Sequence, residues 1–332
     1  MRTRVILSAL SAMTALYGWT APSAAESLSA LASPGRSDNY IRPDDYRVAQ
    51  VGYRLALAGA ALCSNSYPLT GLYLHQLGDY YPADRQVMID TYGLDLGPGA
   101  LAVVADSPAA RAGLAAGDVL LAVNSIPFRS PAQVATERDR SGGGRSSMEA
   151  VEAQLEAELR KGPARLDLMR AGNRLSVTLA PVPGCPARVR LARSNQSNAF
   201  ADDRYAIVTT KLLEFLRSDE ELAIVLAHEL AHNILGHPAR LREQKVPRGL
   251  LRGVGKNAKR VWATEEEADR LSVRLLRAAG YDLGAVLPFW RRFYAKHDWA
   301  PQIFRTHPSL AARERIFTEA MAELPAEARP HP

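Results

Sequence analysis

The sequence is poor in cysteine: Cys63 and Cys185 are the only two among 332 residues. Their spacing does not resemble that of metal-binding cysteine motifs, which excludes a thiolate metal site of the C-x-x-C type. In an oxidising compartment an even pair favours one disulfide, and the alternative is two buried free thiols. The pair therefore predicts a disulfide only if the protein is exported.

Long uncharged apolar runs are missing after residue 25, so that part of the chain predicts no transmembrane helix. Residues 1–25 combine Arg2 and Arg4, an apolar run at about 5–19, and small residues at 23–25. The run is shorter than the roughly 18–20 residues that a membrane span needs, which argues against an N-terminal anchor. The segment predicts a cleavable secretory signal peptide, and we expect an exported protein.

Strong charge of one sign is also missing, since the formal net charge is +6, and this mild excess does not imply nucleic-acid binding. The excess is concentrated at residues 240–260, where eight basic residues accompany a single acid, Glu243. A solvated loop is the favoured interpretation of this stretch. The alternative is a lid over a cleft that also contacts an anionic membrane surface.

The stretch His228-Glu229-Leu230-Ala231-His232 carries the chemistry. Residues four apart lie on one face of a helix, so His228 and His232 can bind one metal ion together. Glu229 lies beside the first ligand, where a carboxylate can accept a proton from water. The competing interpretation is a pair of core histidines bonded to backbone carbonyls.

A helix around this motif is predicted by its flanks. Ser218 and Glu221 form the S-x-x-E pattern of a capping box, and Gly236 with Pro238 predicts the end. Apolar residues occupy much of the helix circumference, so we expect it to be buried.

A third ligand is offered downstream by Glu265 and Asp269. Thr264 and Glu267 form a T-x-x-E pattern, which predicts a new helix that begins there. Glu265 then lies in its first turn and Asp269 one turn later on the same face. One carboxylate could complete a His-His-Glu zinc site, and the other could accept a hydrogen bond from a ligand imidazole.

These motifs together resemble the gluzincin peptidases related to the CAAX prenyl endopeptidase and the heat-shock peptidase HtpX, with the soluble periplasmic branch as the nearer match. Thr306-His307-Pro308 resembles the T-H-P motif of that family. The stretch Asn198-Ala199-Phe200-Ala201 resembles its N-A-F-A edge strand, to which a substrate backbone can add.

The resemblance implies a role for each matching residue. His228, His232 and Glu265 would bind one Zn²⁺ per chain, Glu229 would be the general base, and Asp269 would orient a ligand. His307 would face the metal, where it either stabilises the oxyanion or occupies the open position in a resting form. His237 follows the motif too closely to join the same site, and we expect it at the surface.

A second unit precedes this one. The run from Ser107 to Asn124 resembles the PDZ domains of bacterial proteases, which bind a peptide by adding it to a sheet edge. We expect the carboxylate-binding turn at Gly93-Leu94-Asp95-Leu96. The alternative is a PDZ-like module that serves only as a spacer.

The expected fold class is α+β, with a mainly helical zincin domain that carries a small edge-strand sheet, plus a β-rich PDZ domain. The expected limits are 1–25 for the signal peptide, 26–91 for an N-terminal helix and loop packed on the catalytic domain, 92–181 for the PDZ domain and 182–325 for the peptidase.

We expect a periplasmic zinc metalloendopeptidase that hydrolyses unfolded or misassembled envelope proteins, with a PDZ ligand peptide as a possible partner. The alternative is a zinc-containing chaperone or adaptor with latent peptidase activity. An intramembrane protease would need several membrane spans, which residues 26–332 do not offer.

Overall fold

The computed structural model describes residues 42–129, 145–186, 188–247, 255–297 and 307–325. The predicted signal peptide at 1–25 and Thr306 lie outside these residues. The predicted α+β fold class is confirmed. The described α-helices are α1 Pro43–Ala58, α2 Arg85–Tyr92, α3 Pro108–Arg111, α4 Arg145–Leu159, α5 Thr210–Phe215, α6 Asp219–Ile234, α7 His237–Glu243, α8 Gly255–Ala278, α9 Val286–His297 and α10 Leu310–Ala322.

The described strands form three sheets. They are β1 Tyr67–Leu69, β2 Leu72–His75, β3 Gly99–Val103, β4 Val119–Val123, β5 Ile126–Pro127, β6 Ala164–Arg170, β7 Asn173–Leu179, β8 Val182–Gly184, β9 Arg188–Ala192, β10 Ala199–Ala201 and β11 Tyr205–Thr209.

The largest sheet belongs to the predicted PDZ domain and has the order β2-β3-β4-β6-β7, with β5 paired to β4. All of its pairs are antiparallel. Its first edge strand, β2, belongs to the segment expected to form the N-terminal unit, so strand pairing crosses the expected limit at residue 91. Leu155 and Leu159 of α4 pack against this sheet in one apolar cluster with Leu74 of β2.

The small sheet of the predicted peptidase region has the order β10-β11-β9. Strand β11 pairs antiparallel with β10 and parallel with β9, so β10 is an edge strand. Thr209 ends β11 and caps α5, because its side-chain oxygen accepts a hydrogen bond from the Leu212 N–H. This sheet and α6 share one core.

Helix α1 packs in the same apolar core as β9, α6 and α8. The packing is tight at Gly52, where an added Cβ would lie 2.6 Å from a methyl carbon of Val189. Cys63 and Cys185 form the predicted disulfide, with Cα atoms 5.5 Å apart. It joins the end of the α1 segment to the chain just before β9.

Within the described residues, no helix combines the length and apolarity that crossing a membrane requires.

Candidate metal centre

Helix α6 carries the H-E-x-x-H motif as predicted. Its N-terminal cap is Ser218, whose side-chain oxygen accepts a hydrogen bond from the Glu221 N–H. The Glu221 carboxylate accepts from the N–H of Arg217, one residue before the cap. All residues from Leu222 to His232 are buried. The motif therefore lies in the protein interior, where its polar groups need partners.

The prediction that a helix begins at Thr264 was wrong. Helix α8 begins at Gly255, so Thr264 lies in its interior, where its hydroxyl donates to the Val261 carbonyl. Glu265 and Asp269 are consequently mid-helix residues, and both are buried. Their spacing of four still places them on one face. That face packs against α6, which lies in the same core.

The two helices bring His228, His232 and Glu265 together. One ligand atom from each of the three lies within 4.8 Å of the others. Nε2 of His228 lies 3.1 Å from Nε2 of His232, and each of these nitrogens lies 3.5 Å from a Glu265 carboxylate oxygen. Two imidazole nitrogens and one carboxylate oxygen are the donor set of a catalytic zinc site, so these residues fit the predicted ion.

Asp269 lies next to His228, a candidate ligand. Its Oδ1 is 2.8 Å from Nδ1 of His228, and neither atom has another hydrogen-bond partner among the described residues. Its Oδ2 accepts a hydrogen bond from Nε of Arg313 at 3.0 Å. Asp269 therefore connects a candidate ligand to a buried cation.

Arg313 is a site residue that the sequence did not reveal. Its guanidinium donates to Asp269 and to Glu265, and it stacks 4.0 Å from the ring centroid of Trp290. The residue is 2% exposed. It supplies positive charge to a buried site that contains two carboxylates. Without such a cation, burial would disfavour the charged form of these carboxylates.

The pKa values of the clustered side chains are shifted in different directions. Burial acts to lower the pKa of His228, but hydrogen bonds with Asp269 and Glu265 outweigh it and raise that pKa to about 10. Burial holds the pKa of His232 well below its usual value. Burial acts to raise the pKa of Glu265, but His307, His232 and His228 outweigh it and hold that pKa well below the usual range. Glu265 is thus ionised, as a metal ligand must be.

Glu229 and His307 lie at the same centre. Burial raises the pKa of the Glu229 carboxyl, which the charges of His228 and His307 partly offset. Nδ1 of His307 lies 2.7 Å from Oε2 of Glu265, and the His307 side chain is 56% exposed. His307 therefore reaches a candidate ligand from the solvent side.

The expectation that His237 lies at the surface was wrong. His237 is 1% exposed, and its Nδ1 lies 2.9 Å from Nδ1 of His232. Its Nε2 lies 3.1 Å from Oε2 of Glu267. Gly236, with a φ of 64°, reverses the chain after α6 and turns His237 back towards His232.

The predicted substrate strand coincides with β10. Ala199, Phe200 and Ala201 pair with β11, and the carbonyl of Asn198 accepts hydrogen bonds from the N–H and hydroxyl of Thr209. The turn after β10 is tied to the metal helix, because the Asp203 N–H donates to the side chain of Asn233. An edge strand therefore lies beside α6.

The basic stretch 240–260 is not one loop, because residues 240–243 belong to α7 and residues 255–260 to α8. Arg240 pairs with Glu267, and Arg242 pairs with Asp203. Arg260 donates to the Gln244 carbonyl. Each of these three basic residues therefore has a partner among the described residues.

The predicted carboxylate-binding turn at Gly93–Leu96 does not fit the sheet. Gly93 ends α2, Leu94 is buried with Tyr80 and Tyr92, and Asp95 and Leu96 complete the turn. The strand that follows, β3, is paired on both sides. A peptide adds to a sheet edge, and β2 is an edge strand beside α4, with its Leu74 carbonyl bonded to Arg190. The sequence did not predict β2, because this strand has four residues and lies well before the recognisable PDZ motif.

Comparisons with known proteins agree with this organisation. A profile described as peptidase family M48 matches residues 166–250 and 249–319, and a PDZ domain profile matches residues 99–137. These matches confirm the resemblance to a gluzincin peptidase that carries a PDZ domain. No protein with a curated description matches the chain.

Among solved structures, the HtrA3 PDZ domain bound to a phage-derived ligand (FGRWV) is similar at 19% identity. The match covers 36% of this chain and 87% of that chain, with a TM-score of 0.24.

Proposed function

We propose that this chain, whose residues 166–250 and 249–319 match the profile of peptidase family M48, is a zinc-dependent endopeptidase. The observation that carries the proposal is the buried cluster of His228, His232 and Glu265, with Glu229 at its side. The cluster offers three protein ligands, which leaves a fourth position for water or substrate as in catalytic zinc sites. When bound, zinc would polarise the scissile carbonyl and make a water molecule more acidic.

Glu229 is the proton carrier in this proposal. Its carboxylate accepts a proton from the attacking water and passes it to the leaving amine, which is the general acid–base role. Burial raises the pKa of this carboxyl. A pKa closer to the working pH suits a group that must first accept a proton and then release it.

His307 has two roles open to it. Its side chain is more than half exposed while its ring contacts Glu265, so it can donate a hydrogen bond to a substrate oxygen that gains negative charge. In the arrangement described here the same ring engages a ligand carboxylate, which suits a resting form. Substrate would then have to turn His307 away from Glu265.

Strand β10 provides the substrate contact. Its outer edge can pair with an extended peptide through main-chain hydrogen bonds, which demand little of the peptide sequence. This favours unfolded or misassembled polypeptides as substrates. The predicted signal peptide and the disulfide between Cys63 and Cys185 support an exported, periplasmic location, because disulfides persist in oxidising compartments.

The PDZ domain binds a peptide partner at β2 in this proposal. The open edge of β2 and the side chains of α4 line one cavity together with Arg188, Val189 and Arg190 of β9. Arg190 donates to the Leu74 carbonyl of the edge strand at 2.8 Å. A peptide that extends this sheet would compete with that contact, so ligand binding and the β9 strand of the peptidase sheet are coupled.

Hydrolysis of casein by the purified zinc-loaded protein tests the proposal. Cleavage should stop when a chelator removes the metal and return when zinc is added back. A chaperone or adaptor with latent activity would bind zinc and unfolded casein without cleaving it, and that result would replace the endopeptidase proposal.

A further inference from the structure

His237 and its partners form a chain of contacts that ends at a candidate zinc ligand. The chain runs from Nδ1 of His232 to Nδ1 of His237 at 2.9 Å, and from Nε2 of His237 to Oε2 of Glu267 at 3.1 Å. Arg240 holds the same Glu267 oxygen at 2.8 Å. His237, Glu267 and Arg240 have no role in the proposed hydrolysis.

The hydrogen-bonding capacity of each group fixes the direction of the chain. An ionised carboxylate only accepts, so Nε2–H of His237 donates to Glu267. Nδ1 of that neutral ring then carries a lone pair and accepts from Nδ1–H of His232. The remaining nitrogen of His232, Nε2, is left with a lone pair.

That lone pair is on the nitrogen that faces the metal cluster. Nε2 of His232 lies 3.1 Å from Nε2 of His228 and 3.5 Å from Oε1 of Glu265. A metal-binding imidazole is usually held by a hydrogen bond from its other nitrogen, most often to a carboxylate or a carbonyl. Here a second histidine stands between the ligand and the carboxylate.

We propose that His237, oriented by Glu267, positions His232 for zinc by fixing its tautomer and the plane of its ring. His237 is a positioning residue and touches neither substrate nor metal. The inference rests on the proposed zinc site, and it assigns to this chain a relay from the helix surface at Glu267 to the buried metal ligand.

Zinc affinity measured by competition with a chromophoric chelator tests the relay. His237→Leu fills the space but accepts no hydrogen bond, and we expect zinc binding to weaken about 10- to 100-fold. His237→Gln offers an oxygen to His232 and an N–H to Glu267, and we expect affinity within about threefold of the wild type. Equal losses in both variants would overturn the proposal, since packing rather than hydrogen bonding would then explain them.

Glu267 provides a test that does not disturb the core, because its side chain is 43% exposed. Glu267→Ala should weaken zinc binding at least threefold. The matched control is Glu266→Ala, whose side chain is equally exposed and pairs with Arg270 instead. Unchanged affinity in Glu267→Ala, or an equal loss in the control, would overturn the proposal even if His237→Leu did not fold.

Imidazole nitrogen NMR of the metal-free protein gives an independent readout. The relay predicts the Nδ1–H tautomer for His232 and the Nε2–H tautomer for His237 in the wild type, with the His232 preference lost in His237→Leu. The opposite tautomer for His232 in the wild type would contradict the relay. A wild type that binds no zinc while showing these tautomers would refute the endopeptidase proposal instead, so the two failures are distinguishable.

Discussion

Nδ1 of His228 lies 2.8 Å from Oδ1 of Asp269, and both atoms are buried. The other Asp269 oxygen accepts from Arg313, which also donates to Glu265. One arginine thus holds the two buried carboxylates of α8, Glu265 and Asp269, in place beside the histidines of α6. The metal centre depends on this buried network as much as on its three ligands.

Asp269→Asn should weaken zinc binding about 10- to 100-fold while leaving the fold intact. The amide keeps the size of the carboxylate but loses its charge, so it holds the His228 ring less firmly. Chelator competition measures the effect, and thermal unfolding of the metal-free protein controls for stability. Zinc affinity equal to the wild type would show that Asp269 does not orient His228.

Arg313→Met should destabilise the protein by about 3–5 kcal/mol, because it leaves two buried carboxylates without their cation. Urea unfolding of the metal-free protein measures the loss. Adding Asp269→Asn to Arg313→Met removes one of the stranded charges and should recover part of the stability. A double variant whose loss equals the sum of the single losses would contradict the network.

His75 predicts a loss of stability in acid. Burial, with help from Arg42 and Arg190, lowers the pKa of His75 from 6.5 to about 3. The folded state therefore binds this proton less tightly than the unfolded state, and stability falls as the pH drops below 6.5. The contribution lost between pH 7.5 and pH 5 is about 2 kcal/mol.

Urea unfolding of wild type and His75→Gln at the two pH values measures this contribution. Glutamine can still bond to the Tyr80 hydroxyl, which lies 2.6 Å from Nδ1 of His75, but does not titrate. We expect the variant to lose about 2 kcal/mol less than the wild type on acidification. Equal losses would show that the pKa of His75 does not differ between the folded and unfolded states.

Arg190→Met should increase peptide binding at the cavity between β2 and α4, where we propose that the PDZ domain binds its ligand. The change frees the Leu74 carbonyl of β2 and leaves Arg188 to pair with Glu152. Fluorescence polarisation with a pool of labelled pentapeptides that carry free C-terminal carboxylates should show at least fivefold tighter binding. Arg165→Ala, which changes an exposed arginine on β6, is the control. Unchanged or weaker binding in Arg190→Met would contradict the proposal that the peptide binds along the edge of β2.

The parts predicted from sequence are those that local spacing determines. His228 and His232 follow from their separation of four residues, and Ser218 follows from its capping pattern. The same kind of pattern failed at Thr264, because T-x-x-E also occurs inside helices and α8 begins nine residues earlier. Tertiary packing decided that boundary.

The residues that sequence reasoning missed come into the site through chain reversals and distant helices. His237 is off the face of α6 by helical spacing, and only the left-handed turn at Gly236 returns it to His232. In the sequence, the signal for this chain reversal is the glycine that is followed by His237 and Pro238. Arg313 comes from α10, 44 residues after Asp269, and an arginine in an amphipathic helix gives no local sign of burial.

The central claim is that this centre hydrolyses peptide bonds with Glu229 as the base. The direct test compares zinc content and casein hydrolysis in the wild type and in Glu229→Gln. We predict one zinc ion per chain in both proteins and a loss of at least 100-fold in the rate of hydrolysis in the variant. Equal hydrolysis by both proteins, or a zinc-loaded wild type that cleaves nothing, would contradict the account.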